Sequence, residues 1–336
     1  MKSTKLASLI VLLLALAVAA QAETTIVDQA GYDVTVPESI ESIASVYGIG
    51  TYFVYSLGAG DRLITAYYIG WKSASKATAT MQRWEPRLSE LLSFGDPNVE
   101  DLVAGGADIV LADGSQHEAV AEQLRDLGIP VVLLSAESSD ALKETMQLMA
   151  TVLGEEAQAL ADSFIETYDR VLSTVTSDLA SLDDDARARV LFLGTSVNTA
   201  ASGAMYQTEL IEAAGGVSVT EGLSGGWNEV NLEQVLRWDP DVILIPPYGP
   251  VQPSDILENP DWQSLQAVQS GRVVRMPRLI APMDTPVPES MLGVLWMASL
   301  FYPDNVTLDL VQEVVSFYEI YYGLTLTDEE AAVFSP

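Results

Sequence analysis

Two regions of short apolar runs flank one long helical pattern. In the first region Ile43-Ala44-Ser45-Val46, Leu63-Ile64-Thr65-Ala66, Ile109-Val110-Leu111 and Val131-Val132-Leu133-Leu134 read as strands buried on both faces. A hairpin precedes them: Thr25-Ile26-Val27 and Val34-Thr35-Val36 alternate around a turn at Gln29-Ala30-Gly31. Helical periods lie between the strands, notably Glu118 to Leu127, stopped by Gly128 and Pro130. From about Ser139 the strand signal ends. Leu142, Met146, Met149 and Leu153 repeat at helical spacing up to Gly154. A second series then runs through Ala157, Ala161, Phe164, Tyr168, Val171, Val175 and Leu179. It predicts a helix from about Glu155 to Leu182, about 40 Å long at 1.5 Å per residue. A coiled coil is the alternative, but the seam is short and Gly154 interrupts it. After Asp183-Asp184-Asp185 strand runs return at Val190-Leu191-Phe192-Leu193, Val242-Ile243-Leu244-Ile245 and Arg272 to Met276. The pattern predicts an α/β chain with lobes over 23–138 and 186–336 and a helical connector over 139–185.

The two regions echo one another. Asn98-Val99-Glu100 precedes Asp108-Ile109-Val110-Leu111, and Asn231-Leu232-Glu233 precedes Asp241-Val242-Ile243-Leu244. Each copy reads as an Asn cap, an acid in the first helical turn, a helix and a buried strand. Stabilisation of a helix N-terminus explains each acid locally. It does not explain why both regions carry the same acid at the same place.

Composition narrows the chemistry. Cysteine is absent and His117 is the single histidine, which removes thiolate nucleophiles, cysteine zinc sites and multi-histidine metal sites. A net charge of −31 speaks against nucleic acid as a partner. Lys2 and Lys5, the apolar stretch Leu6 to Ala20 and Ala20-Gln21-Ala22 form an export-signal pattern. Cleavage after Ala22 is expected, since the apolar run is short of the ~20 residues that span a bilayer. The mature chain would carry 14 basic against 47 acidic groups, a net of −33, and be soluble in the periplasm or its equivalent.

Several motifs together resemble a known family. They are Val27 through Pro37, Leu57-Gly58-Ala59-Gly60-Asp61-Arg62-Leu63, Asn98-Val99-Glu100, Leu210 through Gly216, Asn231 through Val235, and Trp262 through Val273. In order and spacing they resemble the periplasmic substrate-binding proteins of ABC importers for iron–siderophore complexes, haem and cobalamin. The resemblance implies two Rossmann-like lobes bridged by one long rigid helix, with ligand between them and little closure. It implies no enzymatic activity and no intrinsic cofactor or resident metal. The partners it implies are an ABC permease dimer with a cytoplasmic ATPase, served by a monomer. The acids that dock on the permease would be Glu100 and Glu233, and a pseudo-symmetric pair suits a two-fold partner.

Ligand-binding candidates come from strand ends and local charge. Arg62, Lys72, Lys76, Arg83 and Arg87 cluster where no acid occurs from Leu63 through Trp84, and Tyr67, Tyr68, Trp71 and Trp84 share that stretch. An aromatic, positive wall after a strand suits an anionic, partly apolar ligand. A surface loop covering the lobe is the alternative. Tyr47 follows the first strand, where a core position is the competing reading. In the second region the candidates are Trp227, Tyr248 and Arg278. Arg278 either grips a ligand carboxylate or pairs with Asp284. His117, just after a strand, is an axial-ligand candidate for haem or cobalt or an ordinary polar residue opening a helix. The leading cargo is a ferric chelate of the siderophore type, with haem or cobalamin as the alternative. A secreted metal-dependent hydrolase is the alternative from another class. No catalytic signature accompanies it.

Overall fold

The computed structural model describes residues 24–69, 77–93 and 95–336. The export signal, Trp71, Lys72 and Lys76 lie outside the described residues.

The chain opens with β1 (Thr24–Val27) and β2 (Asp33–Val36), an antiparallel hairpin. Asp28 fixes its turn, accepting the Ala30 and Tyr32 amides at 3.0 and 2.9 Å. The other carboxylate oxygen takes Arg125 at 3.0 Å and the Leu133 amide at 3.2 Å, tying the hairpin to the first lobe. That lobe holds β3 (Ile43–Ser45), α1 (Gly48–Ser56), β4 (Leu63–Ala66), α2 (Ala79–Trp84), α3 (Val99–Gly105), β5 (Ile109–Asp113), α4 (Glu118–Asp126) and β6 (Val131–Leu134). Its strands are parallel, in the order β4-β3-β5-β6. Helices cover both faces, which is why the strands read as continuous apolar runs.

The second lobe holds β7 (Arg189–Phe192), the two-residue strand β8 (Thr199–Ala200), α7 (Tyr206–Ala213), β9 (Val217–Ser218), β10 (Asn228–Glu229), α8 (Leu232–Trp238), β11 (Val242–Ile245) and β12 (Val273–Arg275). Its parallel sheet has the order β9-β7-β11-β12, while β8 and β10 form a separate ribbon. Numbered within each lobe, both sheets run second, first, third, fourth strand. The sequence echo is therefore a repeat of topology: α3 precedes the third strand of one sheet and α8 the third strand of the other.

Between the lobes run α5 (Ser139–Leu153) and α6 (Glu155–Asp178), joined at Gly154, whose φ of 104 needs glycine. The 24 residues of α6 span about 36 Å. Ala157, Ala161, Phe164, Tyr168, Val171 and Val175 form its buried face. The helix stops at Asp178, short of Leu182, and Leu179 caps it.

The C-terminal part departs from the sequence reading. After α9 (Ser290–Phe301), α10 (Leu310–Tyr322) and α11 (Asp328–Ala332) return to the first lobe and do not stay on the second. The aromatic face of α10 drives this, since Phe317, Tyr318, Tyr321 and Tyr322 are all buried. Tyr322 packs tilted against Trp84, ring centroids 5.3 Å apart, and Tyr321 meets Phe164 edge-on at 5.6 Å. Within α9, a side chain at Gly293 would collide with the Met283 carbonyl. Gly293→Ala is expected to destabilise the fold by about 1–3 kcal/mol through overpacking, against alanine's better helix propensity. Urea denaturation reads this as a lower midpoint at unchanged slope.

Candidate functional site

In a parallel sheet a crevice opens at the strand C-termini where neighbouring connections diverge. Here that point lies between β3 and β5 in one lobe and between β7 and β11 in the other. The two lobes turn these ends toward each other. Thr78, after β4, donates its hydroxyl to the carbonyl of Leu279, after β12, at 2.8 Å. Ser139, after β6, donates its amide to Glu209 of α7 at 2.8 Å.

The first lobe contributes a tyrosine and carboxyls. Tyr47 lies two residues past β3 at the N-cap of α1, is buried, and hydrogen-bonds Glu137 after β6. Burial pushes its hydroxyl well above the usual tyrosine range, with Glu137 and Asp113 adding to the shift. Glu137 is itself raised, first by burial and then by Asp113. Asp113 ends β5 and accepts the Ser115 amide and hydroxyl at 2.7 Å. His117 accepts the Asp113 amide on Nδ1 at 3.1 Å and opens α4. Burial lowers its pKa, and one ring nitrogen is thereby committed to the turn. Tyr67 is half-buried beside the acids Asp96 and Asp101. Tyr68 lies deeper, its hydroxyl 2.9 Å from that of Tyr55 and its ring edge-on to Tyr52.

The second lobe contributes guanidiniums. Arg275 ends β12 and donates to the carbonyls of Pro247 and Gly249 at 2.7 and 2.9 Å, shaping the loop that carries Tyr248. Burial lowers its pKa, and the neighbouring charge of Arg278 lowers it further. Arg278 also acts on Tyr52 of α1, on Tyr318 of α10 and on Asp284, so it stands at the junction of the lobes. Tyr248 donates its hydroxyl to Asp284 at 2.8 Å. Gln207 of α7 donates to the Asp284 carbonyl at 2.9 Å. Trp227 is 43% exposed and packs over Phe192 at 6.4 Å, beside the end of β7.

Two predicted residues sit elsewhere. Arg83 is bound to Glu330 at 2.7 Å on α11, and Trp84 donates its indole N–H to the Tyr322 carbonyl at 2.8 Å. Arg87 grips Glu85 at 2.8 Å. Of the expected positive wall, Arg83 and Arg87 are thus taken up by structural ion pairs, and Arg62 donates to the Leu153 carbonyl at 3.3 Å. Arg275, Glu137 and Gln207 also stand here, and the sequence pattern does not single them out. A charged residue inside an otherwise buried strand, as in Val273-Val274-Arg275, was the available signal.

Asp284 and Glu289 are fully buried in the loop before α9. Burial raises Asp284 to about 6, against the hydrogen bond from Tyr248. It raises Glu289 to about 7, against the hydrogen bond from Tyr322. Among the described residues, Asp284 Oδ1 and Glu289 Oε1 find no hydrogen-bond partner. A raised folded pKa contributes stability below the unfolded carboxylate value near 4, lost as pH rises through the folded value. Between pH 4 and 7.5 the wild type is therefore expected to lose stability relative to the Asp284→Asn, Glu289→Gln double variant, on the order of 3 kcal/mol per group. Thermal melts of both proteins across that range check this. Parallel curves would contradict it.

Glu100 and Glu233 occupy matching places. Asn98 accepts the Glu100 amide at 2.8 Å, and Asn231 forms a capping box with Gln234. Both glutamates are exposed in the first turns of α3 and α8. Each helix runs back along the sheet before the third strand, so both N-termini lie at the rim where the strands end.

Two parallel-stranded lobes of one topology, bridged by a long helix and meeting at their strand ends, define a two-lobe solute-binding protein. The chain matches the periplasmic binding protein family over residues 43–279 and belongs to it. It is 26% identical to the molybdate-binding protein MolA of Haemophilus influenzae, over 98% of this chain and 99% of that protein. It is 26% identical to a vitamin B12-binding protein of Pectobacterium carotovorum subsp. carotovorum, over 61% of this chain and 71% of the relative. A periplasmic solute binding protein from Veillonella parvula superposes with a TM-score of 0.82 at 25% identity, covering 93% of this chain and 97% of that one. MolA bound to molybdate superposes with a TM-score of 0.79 at 24% identity, covering 91% and 99%. The protein is an ABC substrate-binding protein and not an enzyme, which retires the hydrolase reading. Proteins of this family work with an ABC permease and its ATPase.

Proposed function

We propose that the protein captures a small metal oxyanion of the molybdate type between its lobes and delivers it to an ABC permease. The carrying observation is the pair of guanidiniums at and just after the end of β12, Arg275 and Arg278, near enough for the charge of Arg278 to add to the lowering of Arg275 that burial begins. Like charges brought together under partial burial are relieved by an anion. The Tyr47 hydroxyl and the Glu137 carboxyl lie at the matching crevice of the first lobe. Burial and the nearby Asp113 raise the Glu137 pKa, which weakens the repulsion this carboxyl would offer an oxyanion. The molybdate-binding relative, aligned along nearly the whole chain, supports the same ligand class.

A ferric chelate is the second reading, favoured by the aromatic rings of Tyr47, Tyr67 and Trp227 near strand ends. In both readings Glu100 and Glu233 dock on the permease and the mature chain starts near Glu23. Elemental analysis of protein purified from its native extracytoplasmic fraction tests the cargo. Molybdenum or tungsten at about one atom per chain supports the oxyanion. Stoichiometric iron supports the chelate, and cobalt a corrinoid.

A further inference from the structure

The short helix α2 belongs to the first lobe, yet its described polar tethers lead to the second half of the chain. Thr78 caps it, accepting the Met81 amide at 3.1 Å, while the same hydroxyl donates to Leu279. Thr80 donates to Glu330 at 2.7 Å, and Arg83 reaches both Glu330 oxygens at 3.0 and 2.7 Å. Trp84 bonds the Tyr322 carbonyl. Glu330 also accepts the Thr327 amide at 2.9 Å, which orients it within its own capping box. One carboxylate therefore gathers three donor groups and pins α2 to the C-terminal helix. At its other end α2 pins the backbone carbonyl next to Arg278.

We propose that Glu330 is a positioning residue for ligand capture: it holds α2 in place, and through the Thr78 hydroxyl α2 fixes the Leu279 carbonyl and with it the station of Arg278. This rests on the reading of Arg278 as the ligand's cation. The latch is a tie between the halves separate from α6.

The test uses the full mature chain carrying Glu330→Ala, Thr78→Val or Thr78→Ser, with Arg170→Ala as a control. Arg170 pairs with Glu313 at 2.6 Å and is similarly exposed, but it ties α6 to α10 and leaves α2 alone. Amide exchange over residues 276–281 is measured without ligand, and the molybdate Kd by calorimetry. Glu330→Ala and Thr78→Val are expected to speed that exchange and raise Kd about fivefold, the scale of a partly exposed ion pair. Thr78→Ser and Arg170→Ala should leave both quantities unchanged. A Glu330→Ala protein that melts earlier with unaltered exchange at 276–281 would overturn the proposal. The exchange measurement needs no ligand, so a wild type that ignores molybdate contradicts the cargo reading alone.

Discussion

Arg278→Ala is expected to weaken molybdate binding about 30-fold or more, while Lys143→Ala changes it less than about twofold. Truncating one member of a buried charge pair costs ~2–5 kcal/mol, because the partner charge is left unpaired. Arg278 is placed to exert that effect at the meeting point of the lobes, where Tyr52, Tyr318 and Asp284 surround it. Lys143 is a fair contrast, since it pairs with Asp169 at 2.8 Å on the connecting helices. Arg278→Lys should recover little, because an ammonium cannot offer the planar two-toothed grip of a guanidinium. Titration followed by Trp227 fluorescence or by calorimetry gives the comparison. Equal affinities for wild type and Arg278→Ala would remove this residue from the site.

The second large effect concerns delivery. The double variant Glu100→Arg, Glu233→Arg is expected to keep its ligand Kd within about twofold yet lose at least about tenfold in uptake through its permease. Reversing a rim charge turns attraction into repulsion and acts mainly on association. The two acids stand on equivalent helices of equivalent lobes, so a two-fold partner would meet both at once. Each single variant should fall between wild type and the double. Uptake in vesicles containing the permease and ATPase measures it. Loss of ligand binding in step with uptake would place the glutamates in the crevice.

Much of the fold was legible because parallel strands covered on both faces leave unbroken apolar runs. Val131 to Leu134 and Val242 to Ile245 are read without ambiguity for that reason, and Gly154 marks where one helix ends and the next begins. The strand β9 was not legible: two residues, Val217–Ser218, carry no period. Nor was the return of α10 and α11, because an aromatic helix face says that it must be covered and not by what.

Strand ends are legible in the sequence, and Tyr47, Tyr248 and Arg278 do lie just beyond strands of the two sheets. Local charge was a poorer guide. Arg83 sits in an acid-free stretch of sequence, but the carboxylate that takes it lies 247 residues further on. Spacing along the chain cannot reveal such a pairing.

The most direct test is a crystal of the mature protein with sodium molybdate, measured at the molybdenum absorption edge. One strong anomalous peak is expected between the ends of β3 and β5 and those of β7 and β11, within hydrogen-bond reach of the Arg278 guanidinium. A saturated crystal with no peak between the lobes, or a peak on an outer face away from Arg278, would contradict it.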